Sequence, residues 1–215
     1  MKKINLLCLL LICLLWVPVA EAQKKSDIKK IDRYLEDAFK AYDLPGMAVG
    51  IVKDGKVVFS KGYGVRSNEI KKPVTPETTF AIASLSKAFA AATLGILVDE
   101  GKLNWDDKVS KYLPDFELYD PFIERELTIR DLISHRSGYN TFDGDLLWYG
   151  TSYNREEILE RFRHMKNKSS FRSGYGYQNI MFIAAGDVVE AVSGQTWDTF
   201  VQERIFKPLN MTASF

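Results

Sequence analysis

The chain has 215 residues, 46% hydrophobic and 27% charged, an ordinary globular composition with enough apolar material for one domain with a real core. Its 29 basic and 28 acidic side chains leave a net charge of +1, which gives no reason to propose nucleic acid or an anionic surface as partner.

Taken from the N-terminus, Lys2 and Lys3 precede an apolar run from Leu6 to Val19, and Ala20-Glu21-Ala22 forms an A-x-A pattern. This reads as a signal peptide over residues 1–22 with the mature chain starting at Gln23; an uncleaved anchor is the alternative. The expected destination is the periplasm or the extracellular space, with no stable membrane insertion after cleavage. Cys8 and Cys13 both fall within the leader, so residues 23–215 would hold no disulfide, no Cys metal site and no thiol nucleophile.

Ser26 is the expected cap of a helix of about 17 residues, with Ile28, Ile31, Leu35, Ala38, Phe39 and Tyr42 on one face. Pro45 and Gly46 end it. Met47 to Val52 and Lys56 to Ser60 read as the strands of a hairpin around Asp54-Gly55, the second continued by Gly62-Tyr63-Gly64-Val65. Residues 66–79 form a polar loop. A helix is expected from Ser84 to about Glu100, stopped by Gly101. Further helical segments are expected at Val109 to Leu113, at Ile129 to His135 behind Thr128, and at Arg155 to about Met165 behind Asn154. Two more follow, from Ile180 to Val192 and from Thr196 to Phe206. One hairpin followed by a mostly helical region is an α+β pattern with few strands.

Two short motifs carry chemistry. In Ser84-Leu85-Ser86-Lys87, Ser84 and Lys87 lie one helical turn apart on the same face. A lysine amine held neutral beside a serine hydroxyl can take its proton, and a helix N-terminus favours negative charge developing at the serine. Alone, the same four residues fit an N-cap serine and a solvated lysine. In Tyr177-Gln178-Asn179, a phenol beside an ammonium would have its pKa lowered and could shuttle a proton to a leaving group. The Asn amide could bond both a lysine and a substrate. Alone, this triplet fits a surface tyrosine and an N-cap asparagine.

Together, the two motifs resemble those of the class C β-lactamase and serine DD-peptidase family, which includes penicillin-binding proteins and small-ester hydrolases. Leu97 to Lys108, the block Leu127-Thr128-Ile129-Arg130-Asp131-Leu132-Ile133-Ser134-His135-Arg136-Ser137-Gly138, and Ile205 to Thr212 are similar to that family as well. The resemblance extends over about residues 28–215 and implies a β-lactamase/transpeptidase-like fold. It further implies Ser84 as acylated nucleophile, Lys87 as its base, Tyr177 as proton relay and Asn179 as the group that positions the substrate amide. Half of an oxyanion hole would come from the Ser84 backbone N–H. The implied substrates are β-lactams, D-Ala-D-Ala-type peptide ends of peptidoglycan and small esters, with no cofactor and no metal. A non-catalytic peptidoglycan- or β-lactam-binding module is the alternative.

The family also carries a Lys-Thr-Gly or His-x-Gly box on a later strand, and neither pattern follows Asn179 in this sequence. The resemblance therefore implies that residues 23–215 are a domain incomplete at its C-terminus, lacking strands that would neighbour the hairpin and part of the active site. The oligomeric state is left open. His135 tempts a triad with Ser84 and Asp131, but its block is expected to be structural. His164 is expected to be solvated, and Trp148 and Tyr149 either wall a cleft or pack in the core.

Overall fold

The computed structural model describes residues 27–215, which form two compact units, 27–80 and 81–215. The leader and cleavage site expected over residues 1–22, and Ser26, lie outside the described residues. No helix among the described residues is long and apolar enough to cross a membrane.

In the first unit, helix α1 covers residues 27–41 and is followed by strands β1 (Gly46–Lys53) and β2 (Lys56–Gly64), paired antiparallel. Asp54 and Gly55 both take positive φ, 51° and 70°, the geometry that matches the twist of a two-residue hairpin. Helix α1 lies on β2 through the Phe39 and Tyr63 rings, 6.1 Å apart, and through Asp32, which accepts from Lys61 at 2.6 Å and Tyr63 at 2.7 Å. The helix ends before Tyr42, which is exposed instead of continuing the apolar face. Strand β2 runs on through Lys61-Gly62-Tyr63-Gly64, the continuation expected from the sequence, and ends one residue before Val65. At Gly62 the carbonyl of Val74 comes so close that any Cβ would overlap it.

The second unit is helical. A 3₁₀ turn at Ala83–Leu85 leads into α2 (Ser86–Asp99), so Ser84 precedes the regular helix. Helices α3 (Pro121–Glu126), α4 (Ile129–Ser134), α5 (Arg155–Phe162), α6 (Ile180–Ser193) and α7 (Trp197–Val201) follow. Val109–Lys111 is a 3₁₀ turn, shorter than the helix expected there, and α7 continues as a π-helical turn over Gln202–Phe206. Helix α3 has no counterpart in the sequence reading. Its start is nevertheless marked by Asp120, whose side chain accepts from Phe122 N–H at 2.9 Å, and by Pro121 at the first helical position.

Thr128 and Asn154 cap α4 and α5 as expected, each in a reciprocal capping box, with Asp131 and Glu157. The core joins Leu94 and Leu97 of α2 to Ile129 and Leu132 of α4, Phe162 of α5, and Met181, Ala184 and Val188 of α6. Asp131 is buried beneath this layer. Arg172 donates to it twice, at 2.9 and 2.5 Å, and ties the loop before Tyr177 to the start of α4.

Candidate active site

The first turn of α2 and the loop before α6 converge on Ser84. The turn that presents it begins at Ala83, which takes φ 45°, a left-handed conformation that costs energy in a residue with a Cβ. Lys87, in the first turn of α2, places its Nζ 3.3 Å from Ser84 Oγ. Tyr177 approaches from the loop before α6 and brings its Oη to 2.5 Å from the same oxygen. Asn179, two residues on, accepts from Lys87 Nζ through Oδ1 at 2.6 Å. All four residues singled out in the two motifs are therefore linked in one hydrogen-bonded group, although 89 residues of chain separate Lys87 from Tyr177. Asn179 immediately precedes α6 but makes no side-chain cap, so its amide is free for these partners.

Burial pushes the Tyr177 phenol up, but the interactions with Lys87 and Ser84 outweigh it and hold the pKa below the usual tyrosine range. The Lys87 ammonium also lies 4.7 Å from the centre of the Tyr177 ring and 5.2 Å from that of Phe182. The loop carrying Tyr177 is tightly fixed. A Cβ on Gly176 would meet the carbonyl oxygen of Tyr139 at 1.9 Å, so only glycine fits there. Gln178, fully buried, donates to the carbonyl of Asn140.

One participant escaped the sequence reading. Asp145 accepts from Asn179 Nδ2 through both carboxylate oxygens, at 3.0 and 2.9 Å, and from Trp148 Nε1 at 3.2 Å. It lies in a loop of ordinary turn composition, and the only sequence signal would have been Gly144, whose φ of 89° starts the 3₁₀ turn Asp145–Leu147. Trp148 lines a cavity of about 500 Å³ with Ser84, Lys87, Arg155, Phe182 and Trp197, whereas Tyr149 points outward and is 72% exposed.

The histidine triad does not form. Asp131 is committed to Arg172 and Thr128, and His135 Nδ1 accepts from the backbone N–H of Gln178 at 3.0 Å. His164 is exposed. No group of metal-ligating side chains occurs among the described residues.

The chain belongs to the Beta-lactamase family, whose sequence profile matches residues 31–215. The chain is similar to "Unguisins hydrolase ungD'" of Aspergillus campestris, 34% identical over 183 residues that make up 81% of this chain and 34% of that protein. It superposes on the octameric penicillin-binding protein homologue from Pyrococcus abyssi with a TM-score of 0.75 at 29% identity, covering 86% of this chain and 43% of the other. The D-alanine carboxypeptidase AmpC from Burkholderia cenocepacia gives a TM-score of 0.72 at 26% identity, with 88% and 50% covered. The chain thus spans about a third of the curated relative's length and about half of each solved structure. The likeness establishes the β-lactamase/transpeptidase fold, helices with an antiparallel sheet.

Proposed function

We propose that this chain belongs to an exported serine hydrolase or acyl-transferase that works through an acyl-serine intermediate. The observation that carries the reading is the double approach to Ser84 Oγ, by Lys87 at 3.3 Å and Tyr177 at 2.5 Å. In the proposed reaction Lys87 acts as the neutral amine: Ser84 Oγ attacks a carbonyl carbon and its proton passes to Lys87 Nζ. Tyr177 gives its proton to the departing nitrogen or oxygen as the scissile bond breaks and takes up the proton held by Lys87, so the net transfer is from Ser84 to the leaving group. The Asn179 amide, held by Asp145, positions the substrate. Water then attacks the acyl-serine ester and regenerates the hydroxyl.

The substrate classes that fit are β-lactams, D-Ala-D-Ala-type peptide ends and small esters. A D-alanine carboxypeptidase and a hydrolase of unguisins among the similar proteins support acyl transfer at amide bonds. Export is supported by the leader over residues 1–22, with the mature domain beginning at Gln23. No cofactor enters the scheme.

Incubation with a fluorescent penicillin followed by intact-mass analysis tests this reading. An adduct on wild-type protein that disappears in Ser84→Ala and decays on standing supports it. Failure of the wild type to form an adduct with penicillin, a D-Ala-D-Ala peptide thioester or a p-nitrophenyl ester would sink it. A stable adduct without release would favour a binding-only module.

A further inference from the structure

We infer that His135 is a positioning residue for this reaction: its carbonyl and its unprotonated Nδ1 grip the backbone on both sides of Tyr177 and hold the phenol on Ser84. The inference rests on the reading of Ser84 as nucleophile only for its kinetic consequence, since the grip itself is a matter of geometry.

His135 closes α4 in the left-handed region, at φ 59°. That turn directs its carbonyl to the N–H of Gly176, at 2.8 Å, and its Nδ1 to the N–H of Gln178, at 3.0 Å. The two donors flank Tyr177. Between them the imidazole stacks on the Tyr177 ring, with centroids 4.5 Å apart and planes inclined by 26°. Phe182 of α6 and Tyr175 enclose the ring at 5.3 and 5.5 Å. The remaining backbone groups of Tyr177 are also held, its N–H by Thr141 Oγ1 at 3.1 Å and its carbonyl by Phe142 N–H at 2.9 Å. An isolated phenol would sweep a wide arc about its backbone; this one is fixed at three successive residues by a single side chain and its carbonyl.

The grip depends on protonation. Nδ1 can accept from Gln178 only while it carries no proton, so the ring must be neutral with its proton on Nε2. The surroundings favour that form, because burial disfavours the charged imidazole and Lys87 across the site opposes a second positive charge. The other charged neighbours offer no compensation. Arg136 adjoins it and bonds to the carbonyl of Arg172, Asp131 on the same helix is taken by Arg172, and Tyr175, Tyr177 and Phe182 present rings. No carboxylate among the described residues bonds to the imidazole. Protonation would set a donor against the Gln178 N–H, open that half of the clamp and loosen the hold of Tyr177 on Ser84.

Two variants separate the elements of this scheme. His135→Asn tolerates the left-handed backbone, keeps an oxygen that can accept from Gln178, and does not titrate. His135→Phe keeps the ring and removes the acceptor. Amide NMR of the wild type should show the Gln178 resonance moving with the imidazole at one midpoint, below the usual histidine value of about 6.5. The rate of Ser84 labelling by fluorescent penicillin should fall at the same midpoint. His135→Asn should label within about threefold of wild type at neutral pH and lose that acidic step, whereas His135→Phe should label at least about tenfold more slowly.

A Gln178 resonance indifferent to imidazole protonation overturns the inference. So does an unchanged acidic step in His135→Asn, or wild-type labelling by a folded His135→Phe. If His135→Phe does not fold, the asparagine variant decides. If the wild type is not labelled at any pH, the nucleophile assignment fails, and the NMR titration alone judges the grip of His135.

Discussion

Asn179 gives its Nδ2 to the carboxylate of Asp145 and turns its Oδ1 to Lys87, at 2.6 Å. An amide has one donor end and one acceptor end, so a carboxylate on one side fixes which end faces the ammonium. Asp145→Ala should free the amide to rotate and leave Lys87 without a fixed partner. Charge-assisted hydrogen bonds of this kind are worth about 1.5–3 kcal/mol, so acylation of Ser84 should slow about ten- to a hundredfold and the melting temperature should fall by a few degrees. Stopped-flow labelling with a chromogenic β-lactam or ester checks it, and a wild-type rate would mean the amide is oriented by other contacts.

Removing the phenol hydroxyl in Tyr177→Phe leaves the His135 stacking and the backbone bonds intact, so the fold should be unchanged by circular dichroism. Loss of a positioned proton carrier typically costs about 10²–10⁴ in rate. The acylation rate should fall within that range, and a fall of less than about threefold would remove Tyr177 from the proposed proton path.

Asp131 and Arg172 govern stability at acid pH. Burial raises the Asp131 carboxyl pKa, but Arg172 and Thr128 outweigh burial and hold it below the usual range. A group whose pKa is depressed by folding contributes stability above its unfolded value and loses it as pH falls through the folded one. His135, also depressed, behaves the same way at higher pH. On acidification the His135 contribution should be lost below about pH 6.5, opposed by a gain from Asp187, which burial pushes up to about 6, and the melting temperature should decline again below about pH 3.9. Arg172→Met should cost about 2–4 kcal/mol at neutral pH, less than for a fully enclosed pair because Arg172 is 44% exposed. It should also shrink the lower stage, to which Glu100, held down to about 2 by Arg204 and Lys102, still contributes. Differential scanning fluorimetry between pH 2.5 and 8 reads both stages.

Gly176→Ala tests how closely the loop is packed. The added methyl would meet the carbonyl oxygen of Tyr139 at 1.9 Å, well inside contact distance, and the loop must move. The expected result is a lower melting temperature together with slower Ser84 labelling, because the displaced segment carries Tyr177. Unchanged labelling would show that Tyr177 keeps its place when its neighbour shifts.

Local chemistry was legible in the sequence wherever neighbours along the chain determine it. Thr128 with Asp131 and Asn154 with Glu157 satisfy helix ends from within four residues, and Asp54-Gly55 selects its own turn. The pairing of Ser84 with Lys87 follows from one turn of helical geometry. The apolar face of α1 was also readable as periodicity, because the partial burial of Ile31, Leu35, Ala38 and Phe39 repeats with the helix. What the tertiary structure decided is every relation across long stretches of chain. It chose the site partners of Asn179 over the capping role its position offered, enlisted Asp145 from a loop without a motif, and turned His135 from a tempting base into a clamp on the Tyr177 loop. Helix α3 was missed for the same reason: six residues carry too little periodicity to announce a helix, and packing of Ile123 into the core stabilises it. A hydrogen bond between residues 34 or 43 positions apart depends on where two segments are brought by the whole core, and no local preference encodes that distance.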